Sequence, residues 1–506
     1  MLVDFRPHTR LRGAQPVDLT TCLVPVVDAL TEGAADLAKV RVVADWVQYR
    51  ENFRDVVELR PILHTAVQQP DHGLVPVPIG VREDDLEIAV DVRRSAELPL
   101  KDLTATLLQQ PPDRVVLEDW GPGSRSCIWD FNALYWSALE LWEKATGRGY
   151  EQALPGGESD ARNRAAAGEL VDNLFAVWDR LAASNALPEQ LYVVELGVGN
   201  GSQAKVFLDG FRERDRQHGR GYYRRLHYLM CDYSQHVLDL ARETVAEHLE
   251  HVSSFALDAT RPRTALGFLQ YKVFLVYVSN VYDNLPTDEV AHLGGRTYCV
   301  QTRAYLPADA ATELAARFAI DAGSLPALVH KLLRLGPALL PDAAPAHFPD
   351  VDSAVEFWQR TWSALRLEER YAPLAGLDTY QLSVPERRPG AVEQVELSGE
   401  WLRPLLDSGA DIRMHVNNGA LSSFVESLTL LHPFGTLVCH DLFVTDIDGY
   451  RTHFRGPGKY DGSVVNWVNG PLLAHIGRRR GFEVRYERFR HRSGGNIVTM
   501  TAQVRD

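Results

Sequence analysis

Cysteine is sparse in this chain of 506 residues: five, at positions 22, 127, 231, 299 and 439, with no C-x-x-C pair among them. That scatter argues against a disulfide framework and offers no ligand spacing for zinc, so no metal is expected. Cys231 and Cys439 fall in apolar runs that read as strands, where a thiol serves as small apolar filler. No run of 18 or more apolar residues occurs, and the opening MLVDFRPHTRLRGAQP lacks an apolar core. The expectation is a cytoplasmic protein with neither membrane span nor secretion signal. Positive charge is also short, with 53 Lys and Arg against 67 Asp and Glu, a formal net charge of -14. Sequence-independent binding to phosphate backbones needs a clustered basic surface, so nucleic acid is not an expected partner. Two local basic runs occur, residues 212–225 and 477–492; the first includes acids and falls in a helix-to-strand connection, so a solvated surface is its default reading and a basic docking face the alternative.

What the chain has is apolar content, 45%, and a length beyond one ordinary domain. Within it, LYVVELGVGNGSQAKVFLD, residues 191–209, runs from an apolar stretch through Glu195 to Gly197, Gly199 and Gly201 and then into a helical periodicity. Strand, tight glycine turn and helix start together let backbone approach a ligand at a helix N-terminus. The spacing is G-x-G-x-G. The dinucleotide fingerprint G-x-G-x-x-G would need its third glycine where Ser202 stands. The stretch resembles motif I of the class I methyltransferases, whose ligand is S-adenosyl-L-methionine.

The chain continues as such a fold requires. LHYLMCDYSQHVLDLA, 226–241, reads as a second strand ending in Asp232 and a helix capped by Ser234. A carboxylate there accepts hydrogen bonds from both ribose hydroxyls of a cofactor. SSFALDATRP follows, with Asp258 where the family resemblance implies contact with the adenine amine. The fourth strand, within VFLVYVSNVYDNLP, breaks into Ser279, Asn280, Asp283 and Asn284 at the end where open α/β sheets bind ligands. Each piece has a plainer reading, since glycines also serve turns and an Asp before a helix also caps it. Their order, each at a strand end, favours the cofactor: Glu195, Gly197, Gly199 and Gly201 for the methionine part, Asp232 for the ribose, Asp258 for the adenine, with Ser279 beside them.

The expected fold is α/β, a Rossmann-like class I methyltransferase core with a mostly parallel seven-stranded sheet and a C-terminal antiparallel hairpin. Residues 1–125 read as an accessory α+β region, with helical material over TEGAADLAKVRVVADWVQYRENFRDVVELRPIL and a hairpin over VPVPIGVREDDLEIAVDVRR. Residues 126–299 hold the first part of the core. Its opening helix is marked by Ser159 or Asp160 as a cap and a stripe of Leu170, Val171, Leu174, Phe175, Trp178 and Leu181 that reads as core. Residues 300–415, longer than a connection needs, read as a mainly helical lid. Residues 416–506 return to the core with a helix, a strand through Thr436 to Cys439 that ends at His440 and Asp441, another helix and the closing hairpin.

From about Phe131 onward the chain resembles the MidA-like methyltransferases, the group of the mitochondrial complex I assembly methyltransferase. The resemblance rests on VVELGVGNGS, MCDYSQ, SNVYDNLP, and GTLVCHDLF with YRTHFRGPGKYDGSVVNWVNGPLLAHIGRRRGFEV. It implies methylation of protein arginine. Yet Ser279 and Asn280 stand where the family has Asn and Glu, so the carboxylate for a guanidinium is missing; Asp283 is either its substitute or a cap.

Methyl transfer asks the protein to hold donor and acceptor in line and to exclude water. An amine needs only to lose its proton, whereas an alcohol needs a base. Candidates facing the methyl are Asn280, Tyr282, Asp283, His440 and Asp441, with His440 open to either a structural or a catalytic reading. A loop with Tyr450, His453, Tyr460, Asp461, Asn466 and Trp467 is a candidate cradle. Three functions follow: methyl transfer to N or O of a peptide or protein side chain, transfer to a small metabolite, and a non-catalytic cofactor-binding assembly factor.

Overall fold

A computed structural model describes residues 2–6, 19–33, 35–45, 47, 51–65, 85–95, 98–110, 112–149, 164–382, 397–407, 410–452, 456–491 and 495–505. In chain order the core elements are α1 (Arg164–Ala183), β1 (Leu191–Leu196), α2 (Ser202–His218), β2 (Leu226–Asp232), α3 (Gln235–Thr244), β3 (Val252–Ala256) and β4 (Val273–Ser279). After the insertion come α4 (Asn418–Leu428), β5 (Leu431–Asp441), α5 (Gly470–Arg479), β6 (Phe482–Arg488) and β7 (Val498–Val504).

The seven strands form one sheet in the order β6-β7-β5-β4-β1-β2-β3, parallel throughout except β7, which runs against both its neighbours. The central strands are apolar on both faces because helices cover both. Val193, Tyr228, Met230, Tyr277 and Val438 pack towards α1, α2 and α3. Val194, Leu196, Val276, Val278, Leu437 and Cys439 pack towards α4 and α5. Such double coverage is why these strands read as continuous apolar runs. The predicted stripe on α1 is buried at all six positions, while Ser159 and Asp160 lie outside the described residues.

The insertion departs from expectation. It carries helices Ala308–Arg317, Leu325–Leu335 and Val351–Ala364, yet strands Arg296–Pro307, Arg366–Pro373 and Ile412–Val416 run through or into it, with strand Asp288–Leu293 just ahead of it. These strands join Leu2–Arg6, Val40–Asp45, Val57–Ile62 and Asp85–Asp91 in a mixed sheet of ten strands, completed by Arg114–Val116 and Gly121–Pro122. The stretch expected to be helical near the N-terminus, residues 31–63, holds only the end of helix Thr20–Glu32 and then strands Val40–Asp45 and Val57–Ile62, and the boundary drawn at 299 falls inside the second sheet. The first half of the expected hairpin, residues 75–84, lies outside the described residues, and the second half holds strand Asp85–Asp91.

The reason is the charge on one face of that sheet. Arg54 reaches Asp45 at 3.3 Å and Glu369 at 3.2 Å, and Arg60 reaches Glu87 at 2.9 Å and Glu369 at 3.0 Å. Arg413 bonds Glu289 through Nε at 2.7 Å and Glu369 at 2.8 Å. Burial opposes charge on Glu369, but Arg413, Arg54 and Arg60 overcome it and hold its carboxyl well below the usual range. Alternating Arg and Glu along a strand look solvent-facing in a sequence, and here they are inside. Helices Ile128–Ser137 and Leu139–Thr146 pack with the inserted helices around Trp142, Trp358 and Phe357, apart from the sheet core. Among the described residues no helix is long and apolar enough to cross a membrane.

Candidate functional site

The glycine loop lies at the carboxyl edge of the core sheet, between β1 and α2. Gly197, Gly199 and Gly201 all have positive φ, at 75°, 56° and 79°. At two of them space also forbids a side chain: a Cβ on Gly197 would stand 2.3 Å from Val281 Cγ2, and one on Gly201 2.8 Å from the Ala241 backbone. The loop is thus pressed between the turn after β4 and helix α3. The Gly197 and Val198 N–H groups donate to the Cys231 carbonyl at 2.8 and 3.1 Å, tying the loop to β2. Asn200 Oδ1 accepts the Ser202 N–H at 3.0 Å, leaving the mouth of a seventeen-residue helix beside the loop.

Asp232 joins the same surface. Its Oδ2 accepts the Gly199 N–H at 3.2 Å and its Oδ1 the Ser234 N–H at 3.1 Å. Burial pushes its carboxyl up to about 6 against these backbone donors. Glu195 is buried and accepts the Tyr228 hydroxyl at 2.6 Å; burial raises it to about 8, with the Asp232 charge adding to the rise. Tyr228 went unnoticed in the sequence because only the pairing of β1 with β2 brings it to Glu195. Tyr233, 47% exposed directly after Asp232, was missed too, and an aromatic opening a helix turn was the available signal. Asp258 is exposed, with Oδ1 accepting both the N–H and the hydroxyl of Thr260 at 2.8 Å.

At the ends of β4 and β5 the outcome is mixed. Asp441 is fully buried, and its Oδ2 accepts the N–H groups of Val281, Tyr282 and Asp283 at 3.2, 2.8 and 3.4 Å, while Oδ1 accepts that of Leu442 at 2.7 Å. A carboxylate so occupied clamps backbone, in place of the catalytic role expected of it. Asp283 is also buried. Its Oδ1 accepts from Asn284 Nδ2 at 2.7 Å, and its carboxyl feels the charge of Asp441. Burial first and the Asp441 charge second push Asp283 well above the carboxylate range, and Asp441 rises to about 6. Neither reading offered for Asp283, a partner for a guanidinium or a turn cap, describes this carboxyl pair. Tyr282, expected to face the methyl, is buried in the apolar core between the sheet and α4.

Asn280 takes a left-handed φ of 51°, its N–H donating to the His440 carbonyl at 2.9 Å. His440 stands opposite Ser279 in the β4–β5 pairing. Its Nδ1 lies 2.9 Å from Thr499 Oγ1, and its ring packs between Tyr277 and Phe489. Burial, with a smaller contribution from His491, pushes its pKa down to about 4, so it is neutral at neutral pH.

The candidate cradle loop is committed to the fold. Tyr450 is buried with its hydroxyl 3.2 Å from His415 Nδ1, and Asp461 Oδ2 accepts from the Tyr135 hydroxyl and Trp142 Nε1, each at 3.0 Å. Asn466 is buried and its N–H donates to the Asp283 carbonyl at 2.9 Å; His453 lies outside the described residues. Lys459 donates to the carbonyls of Trp362, Ser363 and Leu365 at 2.5, 3.0 and 2.8 Å. This segment straps the inserted helices to the core.

No known family profile matches the chain, and no curated protein matches it in sequence. Among solved structures it is similar to a superfamily member from Burkholderia thailandensis bound to S-adenosyl-homocysteine, 14% identical, over 79% of this chain and 90% of that one, with a TM-score of 0.42. It is also similar to the DszA carbon methyltransferase, 11% identical over 84% and 74% with a TM-score of 0.32. An O-methyltransferase family protein from Burkholderia thailandensis is 10% identical over 68% and 58%, with a TM-score of 0.26.

Proposed function

We propose that this chain is a methyltransferase that uses S-adenosyl-L-methionine and acts on an oxygen or nitrogen nucleophile. The observation that carries the reading is the Asp232 carboxylate bonded to the Gly199 N–H, which joins the acid ending β2 to the glycine loop after β1 at the same edge of the sheet. The chemistry fits the group. Glu195 and the mouth of α2 offer a carboxylate and backbone donors to the amino and carboxylate ends of a methionine moiety. Asp232 offers its oxygens to ribose hydroxyls, Asp258 a carboxylate to the adenine amine, and Tyr233 a ring face beside it. When bound, the cofactor supplies an electrophilic methyl on a sulfonium; the chain's part is to hold it, keep water out and align the acceptor.

Two acceptor classes follow from the residues. A peptide or protein side chain accords with the resemblance to the MidA-like family. A small molecule is favoured by Asp283 and Asp441, whose carboxyls are buried and engaged, the first by Asn284 Nδ2 and the second by backbone N–H groups, so that neither is presented to a guanidinium. The test is calorimetric titration with S-adenosyl-homocysteine, followed by transfer of labelled methyl from S-adenosylmethionine into a host lysate split into macromolecules and small molecules. Binding with label in the small-molecule fraction supports the second class, and label in protein the first. No binding would sink the cofactor assignment.

A further inference from the structure

The carboxyl ends of β4 and β5 carry two buried side-chain polar atoms that find no hydrogen-bond partner among the described residues: Ser279 Oγ and His440 Nε2. Their residues are directly paired across the two strands, so the atoms belong to one neighbourhood on one face of the sheet. Buried polar atoms are nearly always bonded, and two orphans side by side at the ligand edge mark a place for a polar group from outside the chain. The edge is the right one. Asn280 and Val281 follow Ser279 at once, and Val281 is the residue pressed against Gly197 of the glycine loop.

The surroundings hold the imidazole in one orientation. Thr499 on β7 engages Nδ1, while Tyr277 and Phe489 flank the ring with centroids at 5.4 and 4.8 Å. Because β6 and β5 both run against β7, the end of β6 reaches the same edge, bringing His491, which pairs with Glu169 of α1 at 3.1 Å. The titratable groups facing His440 are thus Tyr277 from β4 and His491 beyond β6, with Glu169 behind the latter. An imidazole that stays neutral at neutral pH, anchored at Nδ1, has a lone pair to offer at Nε2.

Resting on the methyl-transfer reading, we infer that His440 is the proton acceptor for a hydroxyl acceptor, whose oxygen is held between Nε2 and Ser279 Oγ. The acceptor's O–H bond breaks and its proton passes to Nε2. The oxygen's electron pair forms the bond to the methyl carbon, and the carbon–sulfur bond breaks with its pair left on the sulfur of S-adenosyl-homocysteine. The imidazole gains one positive charge as the sulfonium charge is lost, so the buried site keeps its net charge through the step. An amine attacks with its own lone pair and would not need this base, which is why the geometry selects a hydroxyl.

The experiment combines two readouts. Protein with nitrogen-15 histidine, bound to S-adenosyl-homocysteine, has its imidazole tautomers read by NMR. The same protein is then given methyl-labelled S-adenosylmethionine and host lysate, and hydriodic acid is used to cleave methyl from oxygen but not from nitrogen. Expected are a proton on Nδ1 with bare Nε2 at His440, and label that the acid releases. His440→Asn should bind S-adenosyl-homocysteine within about threefold of wild type yet transfer roughly 100-fold more slowly. Thr499→Val, which keeps the imidazole but frees its tautomer, should lose about tenfold and serves if His440→Asn does not fold. A proton on Nε2, acid-resistant label or a fully active His440→Asn would overturn the assignment and leave methyl transfer standing. Absent cofactor binding, or binding without any transfer, would overturn both.

Discussion

Asp232 accepts the backbone N–H of Gly199 at 3.2 Å, so an acid on one strand and a loop from the next share a hydrogen bond before any ligand arrives. Asp232→Ala removes both the ribose partner and this tie. Calorimetry should show S-adenosyl-homocysteine affinity falling at least about tenfold, with a stability loss of roughly 1–3 kcal/mol for the charged hydrogen bonds. Unchanged affinity would remove the ribose role.

Gly197→Ala places a methyl 2.3 Å from Val281 Cγ2 at a residue with positive φ. The expected cost is about 1–3 kcal/mol of overpacking plus the backbone strain, together with loss of binding. Adding Val281→Ala should recover part of the melting temperature. If it recovers none, the clash is not the cause.

Glu195, raised to about 8 chiefly by burial, is largely protonated at pH 7 in the free protein. If it receives the ammonium of the methionine moiety, binding must expel that proton, and affinity rises as pH goes from 6 to 8. Binding enthalpy should therefore differ between buffers of unequal ionisation enthalpy. Equal enthalpies would exclude Glu195 from the contact.

Asp283 and Asp441 both hold their protons more tightly folded than unfolded. The protonated pair therefore favours folding at low pH, and this contribution is lost as pH rises from the ordinary carboxylate range near 4 through about 6. Asp283→Asn takes one acid out of the pair. Thermal melts from pH 4 to 8 should show a smaller fall than wild type; an equal or steeper fall would show that the pair is not coupled as described.

Arg413→Met strands the buried carboxylates of Glu289 and Glu369. Removing one partner of such a set costs about 3–5 kcal/mol, so the urea midpoint should drop clearly. Affinity for S-adenosyl-homocysteine in the folded variant should hold, since the network belongs to the other sheet. A small shift in the midpoint would mean water or neighbouring arginines screen those carboxylates.

Much of the core was legible because its signals are local. The apolar run before Glu195, the glycines after it, the cap at Ser234 and the break after Val278 each declare themselves within a few residues, and the same positions line the carboxyl edge. The second sheet was not legible because its strands face inward with Arg60, Glu87 and Arg413, residue types whose usual place is the surface, and because their partners are remote. The site was half legible for a related reason. Sequence spacing put Asp283, His440 and Asp441 near one edge, but whether each polar atom is engaged depends on turns that only the folded backbone defines: Asp441 is consumed by four N–H groups, while His440 Nε2 meets no partner among the described residues.

The ten-stranded sheet also sets an order of events during synthesis. Arg54 meets Asp45 nine residues away, but its second partner, Glu369, lies 315 residues further along. At ribosomal rates of roughly 5–20 residues per second, the strand Val57–Ile62 stands without its neighbour Arg366–Pro373 for on the order of 15–60 seconds. Through that interval the emerging N-terminal strands present an unpaired edge with charges meant for an interior. Their arginines and glutamates, costly once buried without partners, keep that edge hydrated and discourage contact with other nascent chains until the insertion arrives to close it.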